Sequence, residues 1–250
     1  MEQGRELEGM KAVLMCPTYG PADPVCQKDL RIAMMSCSNH GLYWASDAST
    51  DRMNFSSSRN HAAEGVYRAG IDHTDGIMWV DSDIRQGPGD MLNLLTTVKV
   101  RGLDFVSGVY HQREGAHHPV FYHFDQKFQR FRPLRDYPEN ILFPADGCGF
   151  GFVWTSNRLI REIVEHPEFN PDDGWFPDKR DAGGFGEDLS FCFQAMRTKH
   201  QLFVHTGIQV GHRGDPNDIY RENFLKEKAR REELGLDKVV PSRMRWGGEK

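Results

Sequence analysis

Two aspartates separated by one serine, Asp81-Ser82-Asp83, follow directly on the apolar run Ile77-Met78-Trp79-Val80. Carboxylates so spaced are hard oxygen ligands, suited to one divalent cation, Mn2+ or Mg2+, that also carries phosphates. Asp is equally a common turn residue, so the triplet taken alone also reads as a strand-end turn. Three other stretches bear on the same chemistry. Gly184-Phe185-Gly186-Glu187-Asp188 sets two adjacent acids at a predicted helix start, where acids serve as caps or accept protons. Val210-Gly211-His212-Arg213-Gly214 holds a histidine between glycines. Imidazole joins carboxylates in Mn2+ sites, although a lone histidine is more often structural. Ser58-Arg59-Asn60 reads as a helix start, where N–H groups and a guanidinium suit a diphosphate. The plainer reading there is a surface arginine beside an N-cap serine.

The elements that must position these residues follow from the apolar pattern. The run from Ile77 to Val80, bounded by Gly76, is short and continuous, as in a strand buried on both faces. Open α/β sheets bind ligands at the carboxyl ends of their strands, which is where Asp81 and Asp83 fall. Lys11 to Cys16 reads as a first buried strand stopped by Pro17, Leu42 to Ala45 as a second, and Phe105 to Tyr110 as another. Helices are predicted from Asp23 or Pro24 through Leu30, Ile32, Ala33 and Met34 with Gly41 just past the end, and over Ser58 to Ala69, Met91 to Val100, Asn157 to Val164 and Glu187 to Met196. Aromatic and polar residues alternate between Gln112 and Phe143 with the period of β-hairpins. Gln201 to His205 and Gln209 to His212 read as two short strands. Strands alternating with helices over the first ~110 residues argue for a mostly parallel sheet in one domain.

Bulk properties narrow the class. The 250 residues are 38% hydrophobic and 27% charged with a net charge of -5, the balance of an ordinary soluble protein. Any nucleic-acid contact must therefore be a local patch. No apolar run reaches the ~18–20 residues that span a bilayer, so no membrane insertion is expected. The charged stretch from Met1 to Glu8 lacks the apolar core of a signal peptide. Five scattered cysteines without a C-x-x-C pair read as reduced thiols of a cytoplasmic protein, and argue against a zinc knuckle.

The order of the features carries more than any one of them. A strand ending in Pro17-Thr18-Tyr19, an Arg59-Asn60 helix start, the Asp81-Ser82-Asp83 strand end, Gly147-Cys148-Gly149, the Glu187-Asp188 helix and Gly211-His212 follow in turn. This resembles the nucleotide-sugar-dependent glycosyltransferases of the GT-A fold, particularly the inverting family with Asp-x-Asp and Glu-Asp signatures. The resemblance covers Lys11 to Gly214, and Leu189-Ser190-Phe191-Cys192 looks like that family's aromatic-rich helix. It implies an α/β, GT-A-like domain over residues 1–214, with a mostly parallel central sheet flanked by helices and a small antiparallel β extension. Residues 215–250 are then a charged C-terminal helix or tail.

For the site, the resemblance implies that Pro17, Thr18, Tyr19, Arg59, Asp81, Ser82 and Asp83 bind a nucleoside-diphosphate sugar, with UDP as the expected carrier. Tyr19 would stack on the base and Arg59 lie against the diphosphate or donor sugar. Asp81, Asp83 and His212 would hold Mn2+ or Mg2+. Asp188 would be the base, with Glu187 beside it, and Gly147, Cys148 and Gly149 would shape the acceptor side. The family pattern of an acid after the second strand has no clear counterpart, although Asp47 and Asp51 are near.

Acceptors in the family include polysaccharides, proteins, small molecules and, in phages, hydroxymethylated pyrimidines in DNA. The cluster His111-Gln112-Arg113 with His117-His118 and the C-terminal set of Lys226, Lys228, Arg230, Arg231, Lys238, Arg243 and Arg245 are two basic features, and basic and aromatic residues also interleave from Tyr122 to Arg135. These features lean toward a DNA acceptor, and the cytoplasm would be the host's if a phage encodes the chain. Glutamates 222, 227, 232 and 233 offset the C-terminal charge, as in a solvated helix face. Rival classes are a nucleotidyltransferase, a non-catalytic nucleotide-sugar-binding module and a zinc hydrolase. The first lacks a glycine-rich basic loop after the first strand, and the last lacks His-Glu-x-x-His.

Overall fold

The computed structural model describes residues 4–18, 22–214 and 217–234. The chain opens with β1 (Lys11–Met15), β2 (Pro17–Thr18), α1 (Pro24–Asn39), β3 (Tyr43–Asp47), β4 (Thr50–Asp51) and α2 (Phe55–Ala69). It continues through β5 (Gly76–Val80), β6 (Ile84–Arg85), α3 (Asp90–Arg101), β7 (Phe105–Val109), β8 (Phe121–Asp125) and β9 (Arg130–Pro133). Then come β10 (Leu142–Ala145), β11 (Gly147–Cys148), β12 (Phe152–Ser156), α4 (Asn157–Glu165) and α5 (Glu187–Arg197). The last elements are β13 (Leu202–Gln209), β14 (Gly211–His212) and α6 (Arg221–Glu233).

Seven strands form one sheet in the order β10-β13-β7-β12-β5-β1-β3. The pairs β1–β3, β1–β5 and β7–β13 are parallel, whereas β12 runs antiparallel to β5 and β7, and β10 to β13. Strands β3, β1, β5, β7 and β13 therefore share one direction. A three-stranded antiparallel unit, β11-β8-β9, forms the extension. This is the expected architecture: an α/β domain with a mostly parallel central sheet between helices and a small antiparallel β extension.

Alternation along each central strand explains the layers. Ile77 and Trp79 of β5 join one apolar cluster with α2, α4 and α5 residues, while Met78 and Val80 join the other with α1 and α3 residues. Both faces are covered, so the strand reads as an unbroken apolar run rather than an alternating one. Trp79, 1% exposed, satisfies its indole N–H on Thr155 Oγ1 at 2.7 Å, so its buried polar atom carries no desolvation penalty.

Two predicted boundaries differ. Helix α2 starts at Phe55 because the Asn54 side chain accepts the Ser57 N–H at 2.7 Å and caps the helix. Ser58, Arg59 and Asn60 thus lie inside the helix, and the Ser58 N–H is spent on the Asn54 carbonyl at 3.0 Å. The expected anion-binding helix start at Ser58 is corrected on that ground. At the other end of the chain, the two predicted strands after Gln201 are one eight-residue strand, β13, followed by the short β14. Gly207 does not interrupt β13, whose residues alternate in burial throughout. In α6, Phe224 is 3% exposed and stacks on His111, with ring centroids 5.6 Å apart. Among the described residues, no helix is long and apolar enough to cross a membrane.

Candidate functional site

Asp81 leaves the carboxyl end of β5, and its N–H donates to the Gly151 carbonyl at 3.0 Å. Arg59, only 2% exposed, reaches it from α2: Nη2 donates to Asp81 Oδ1 at 2.9 Å. Its Nη1 donates to Glu187 Oε1 at 3.2 Å and to Asp188 Oδ1 at the start of α5. One guanidinium thus joins three carboxylates that are up to 129 residues from it in sequence. Arg59 Nε has no hydrogen-bond partner among the described residues. Three of its five N–H donors are spent on these acids, and because Arg59 is only 2% exposed, the expected contact with a diphosphate would require one of the carboxylates to move aside.

One cation cannot neutralise three acids. Burial pushes the Asp188 carboxyl up to about 7, with Glu187 and Asp81 adding to the rise and Arg59 opposing it. Burial likewise raises Asp81 above the usual carboxylate range, against the pull of Arg59. Asp188 retains 27% exposure, and its Oδ2 accepts the Phe150 N–H at 3.2 Å. A carboxylate poised near neutral pH and open to solvent is suited to accept a proton from a bound hydroxyl.

Beside this cluster, β6 and β14 pair antiparallel, with Ile84 opposite His212. That short ladder, with the Arg213 N–H on the Asp83 carbonyl at 2.7 Å, brings Asp83 and His212 together. His212 Nδ1 lies 2.8 Å from the His111 carbonyl, which can only accept, so Nδ1 carries a proton. Nε2 then faces Asp83 Oδ2 at 3.3 Å. Two acceptors face each other there unless a proton or a cation stands between them. Burial pushes Asp83 up, but His212 and the Arg113 guanidinium outweigh it and hold the carboxyl below its usual range. Arg113 Nη1 is 3.2 Å from Asp83 Oδ2, and the side chain is 54% exposed.

The expected three-ligand set of Asp81, Asp83 and His212 does not gather, because Arg59 draws Asp81 away. Among the described residues no three His, Cys, Asp or Glu side chains form a metal-holding group. Asp83 and His212 remain as a pair. A carboxylate with an imidazole anchored through its other nitrogen fits a divalent cation completed by phosphate oxygens and water.

The other predicted residues fall around these two centres. Pro17 and Thr18 form β2 against β4, with Thr18 Oγ1 donating to the Thr50 carbonyl at 2.7 Å. Thr50 Oγ1 in turn reaches Ser58 Oγ at 2.7 Å, tying this exit loop to α2. Tyr19 lies outside the described residues. Ser82 sits in the turn between Asp81 and Asp83, which the Ile84 N–H closes on the Asp81 carbonyl at 3.1 Å. Asp47, at the end of β3, lies on the same edge of the sheet, where its Oδ1 accepts the Ser49 N–H at 2.9 Å. Gly147, Cys148 and Gly149 are buried and back the site through the Phe150 N–H instead of facing an open surface. A Cβ on Gly149 would stand 2.1 Å from the Tyr110 hydroxyl, so no other residue fits there unshifted.

Tyr110 is the site residue that local pattern missed, and Arg113 stood out only within the basic His111-Gln112-Arg113 cluster, not as a partner of Asp83. The Tyr110 hydroxyl accepts the Gly151 N–H at 3.1 Å, and its ring meets His212 edge-on at 5.5 Å. Burial, then Asp188 and Asp81, push its phenol well above the ordinary value, so it stays protonated beneath both carboxylates. Only the apolar run into Tyr110 signalled it, as an ordinary strand residue. A cleft of about 690 Å³ opens beside Glu187, lined by the first turn of α2 and by Asp172, Asp173, Asp178 and Arg180 of the loop before α5. Asn60 Oδ1 accepts the Phe176 N–H at 3.0 Å, and Ser56 donates to the Phe176 carbonyl at 2.5 Å, so both walls are tied together.

Neither models of known families nor curated proteins match the chain. Among solved structures it is similar to A197 from STIV, with a TM-score of 0.50 and 17% identity, covering 81% of this chain and 85% of that one. GalNAc-T7, solved with UDP, GalNAc and Mn2+, gives a TM-score of 0.47 and 10% identity over 92% of this chain and 48% of that one. At such identities the likeness to A197 concerns the fold alone.

Proposed function

We propose that the chain is an inverting, metal-dependent glycosyltransferase that moves a sugar from a nucleoside-diphosphate sugar, UDP being the expected carrier, to an acceptor hydroxyl. The observation that carries this reading is Asp188: a partly exposed carboxylate raised to about 7, held by Arg59 at the same sheet edge as the Asp83–His212 pair. Ionised Asp188 takes the proton of the acceptor hydroxyl as that oxygen bonds to the anomeric carbon. The bond from that carbon to the diphosphate oxygen breaks with its electron pair, and the nucleoside diphosphate departs. Attack from the face opposite the leaving group inverts the anomeric centre.

Each neighbouring residue serves this step. Arg59 orients Asp188, and Glu187 and Asp81 share that guanidinium, so no single acid claims it. Asp83 and His212 are the residues that would hold Mn2+ or Mg2+, with Asp81 and Ser82 beside them toward the donor. A bound divalent cation would supply charge neutralisation to the departing diphosphate. Half-exposed Arg113 offers that diphosphate the guanidinium that buried Arg59 does not. Pro17, Thr18 and Tyr19 form the nucleoside side, and Gly147, Cys148 and Gly149 support the acceptor side from behind.

The specific acceptor we propose is a hydroxymethylated pyrimidine in DNA, on the strength of the basic and aromatic residues of β8 and β9 that lie next to Gly147 and Cys148. A base within a duplex would have to leave the stack to meet Asp188. Polysaccharide, protein and small-molecule hydroxyls are the competing acceptors, and a non-catalytic donor-binding module is the competing class.

A matrix of nucleotide sugars against acceptors, read by mass with Mn2+ present, tests the reading, since the added mass names the sugar. Mn2+ with the correct donor should raise the melting temperature, by about 2.7 kcal/mol of stabilisation at a hundredfold excess over Kd. Asp83→Asn and His212→Gln should abolish the part of that shift that depends on Mn2+. No shift with any nucleotide sugar, with or without metal, would overturn the proposal.

A further inference from the structure

The β8–β9 hairpin carries phenylalanines with opposite fates. Phe124 packs inward on Phe131 at 5.0 Å and on Phe193 at 5.4 Å, and Phe131 packs on Phe185 at 5.0 Å. Phe128, at the tip, is 55% exposed and has no ring partner of this kind among the described residues. Cations surround it instead: Lys127 Nζ stands 5.3 Å from the ring centroid, and the guanidinium carbons of Arg130 and Arg132 each stand 5.2 Å away.

The tip is also built to hold its shape. Asp125 Oδ1 accepts the N–H groups of Lys127 and Phe128 at 3.1 and 3.2 Å, and its other oxygen pairs with Arg132 at 2.6 Å. Gln129 takes a left-handed backbone, φ 48°, and its side chain closes on the Gln126 carbonyl at 2.6 Å. Arg132 is thus neutralised locally, whereas Lys127 and Arg130 have no carboxylate partner among the described residues.

We infer that this hairpin tip binds a single strand of nucleic acid, with Phe128 stacking on a base and Lys127 and Arg130 meeting the flanking phosphates. The chemistry favours nucleic acid over other polyanions. An exposed ring offers a face that any base can stack on, and cations beside it match the spacing of base and backbone. A sulfated polysaccharide would use the cations and leave the ring idle. A net charge of -5 gives the chain no general attraction for phosphate, so binding must come from a local cationic patch such as this tip.

The hairpin's inner rings pack on Phe185, two residues before Glu187, so a strand held at the tip lies on the side of the molecule that carries Asp188. Only that last link rests on the transferase reading; the binding itself does not.

The test uses the full chain and a short labelled oligodeoxynucleotide of mixed sequence, with anisotropy measured over a series of NaCl concentrations and no donor or metal present. Failure here would therefore leave the transferase reading standing. Binding should weaken linearly on a log–log plot against salt. Phe128→Ala should weaken it roughly 5- to 150-fold, the loss of one stacked base. Lys127→Ala and Arg130→Ala should each flatten the salt slope by about 0.7. Arg101→Ala, at the end of α3 on the other face of the sheet, should change neither. All four residues are exposed, and an unchanged melting temperature will verify folding. No binding by the native chain overturns the proposal. So does undiminished binding by Phe128→Ala, or heparin displacing the oligonucleotide equally from the native chain and Phe128→Ala.

Discussion

Two charged clusters sit at opposite edges of the central sheet and behave oppositely. At the amino edge, Asp104 precedes β7 and accepts from Ser156 Oγ at 2.7 Å, Arg158 Nε at 3.0 Å and His200 Nδ1 at 3.0 Å. His200, 9% exposed, reaches Glu162 with its other nitrogen at 2.8 Å. Two acids meet two cations there. Burial pushes the Asp104 carboxyl up, yet His200, Arg158 and Ser156 outweigh it and hold it well below the usual range. At the carboxyl edge three acids share one arginine, and Asp81 and Asp188 rise instead. Burial raises all three carboxyls, and only at the amino edge are there enough cations and hydrogen bonds to overcome it. A balanced cluster staples a fold, whereas an over-acidic one keeps a carboxylate reactive at some expense of stability.

The largest expected contrast is in catalysis. Asp188→Asn should lower the transfer rate about 10²- to 10⁴-fold while leaving donor affinity within about threefold, the signature of a lost general base. Its melting temperature should hold or rise, since a strained carboxylate has been removed. Turnover at the native rate would strike Asp188 from the mechanism and erase the distinction between the clusters.

Next in size is the amino edge. Asp104→Ala leaves His200 and Arg158 without their shared acceptor and should cost about 3 kcal/mol in urea denaturation, with transfer per folded molecule unchanged. An equal loss of activity per folded molecule would mean that both edges serve the chemistry.

Smaller effects appear against pH. His200 has its pKa raised by the hydrogen bond to Asp104, against burial, so its stabilising contribution is present below its ordinary 6.5 and fades as pH climbs through the raised folded value. Asp104, held low, contributes above its ordinary 3.8 and loses that contribution as pH falls. His200→Gln should therefore destabilise more at pH 5.5 than at pH 9, where a pH-independent loss would sink the charged pairing. Asp188 follows a different curve. Its raised pKa makes the protonated form the better fit to the fold, whereas kcat/KM should rise with pH through about 7 as the base ionises. A rate profile flat from pH 5.5 to pH 8.5 would refute that assignment.

Part of this arrangement was legible in single residues. The apolar run into Asp81 marked a central strand and its carboxyl end, because a strand buried on both faces must be apolar at every position. Glu187 and Asp188 were legible as a helix start, because α5 opens at Glu187 after the extended Gly186. The Ser58 boundary was misplaced because serine and asparagine cap equally well, and tertiary packing chose Asn54. Tyr110 stayed hidden and Arg113 was legible only as part of a basic cluster: their roles come from Asp83, His212 and Gly151, which arrive from other parts of the chain.

The sequence by itself determined which residues form strands and helices, and that acids occupy a strand's carboxyl end and a helix's first turn. Only the tertiary structure decided who meets whom. Arg59 finds Asp188 across 129 residues, Asp83 finds His212 through the β6–β14 ladder, and Asp104 finds His200 at the opposite edge. The physical reason is that periodicity records which face of an element is buried, whereas partners depend on sheet order and strand direction. Here β12, inserted antiparallel between β5 and β7, sets that order. It brings the Gly151 carbonyl to Asp81 and the Phe150 N–H to Asp188, so the site took its shape from a strand that carries none of its acids.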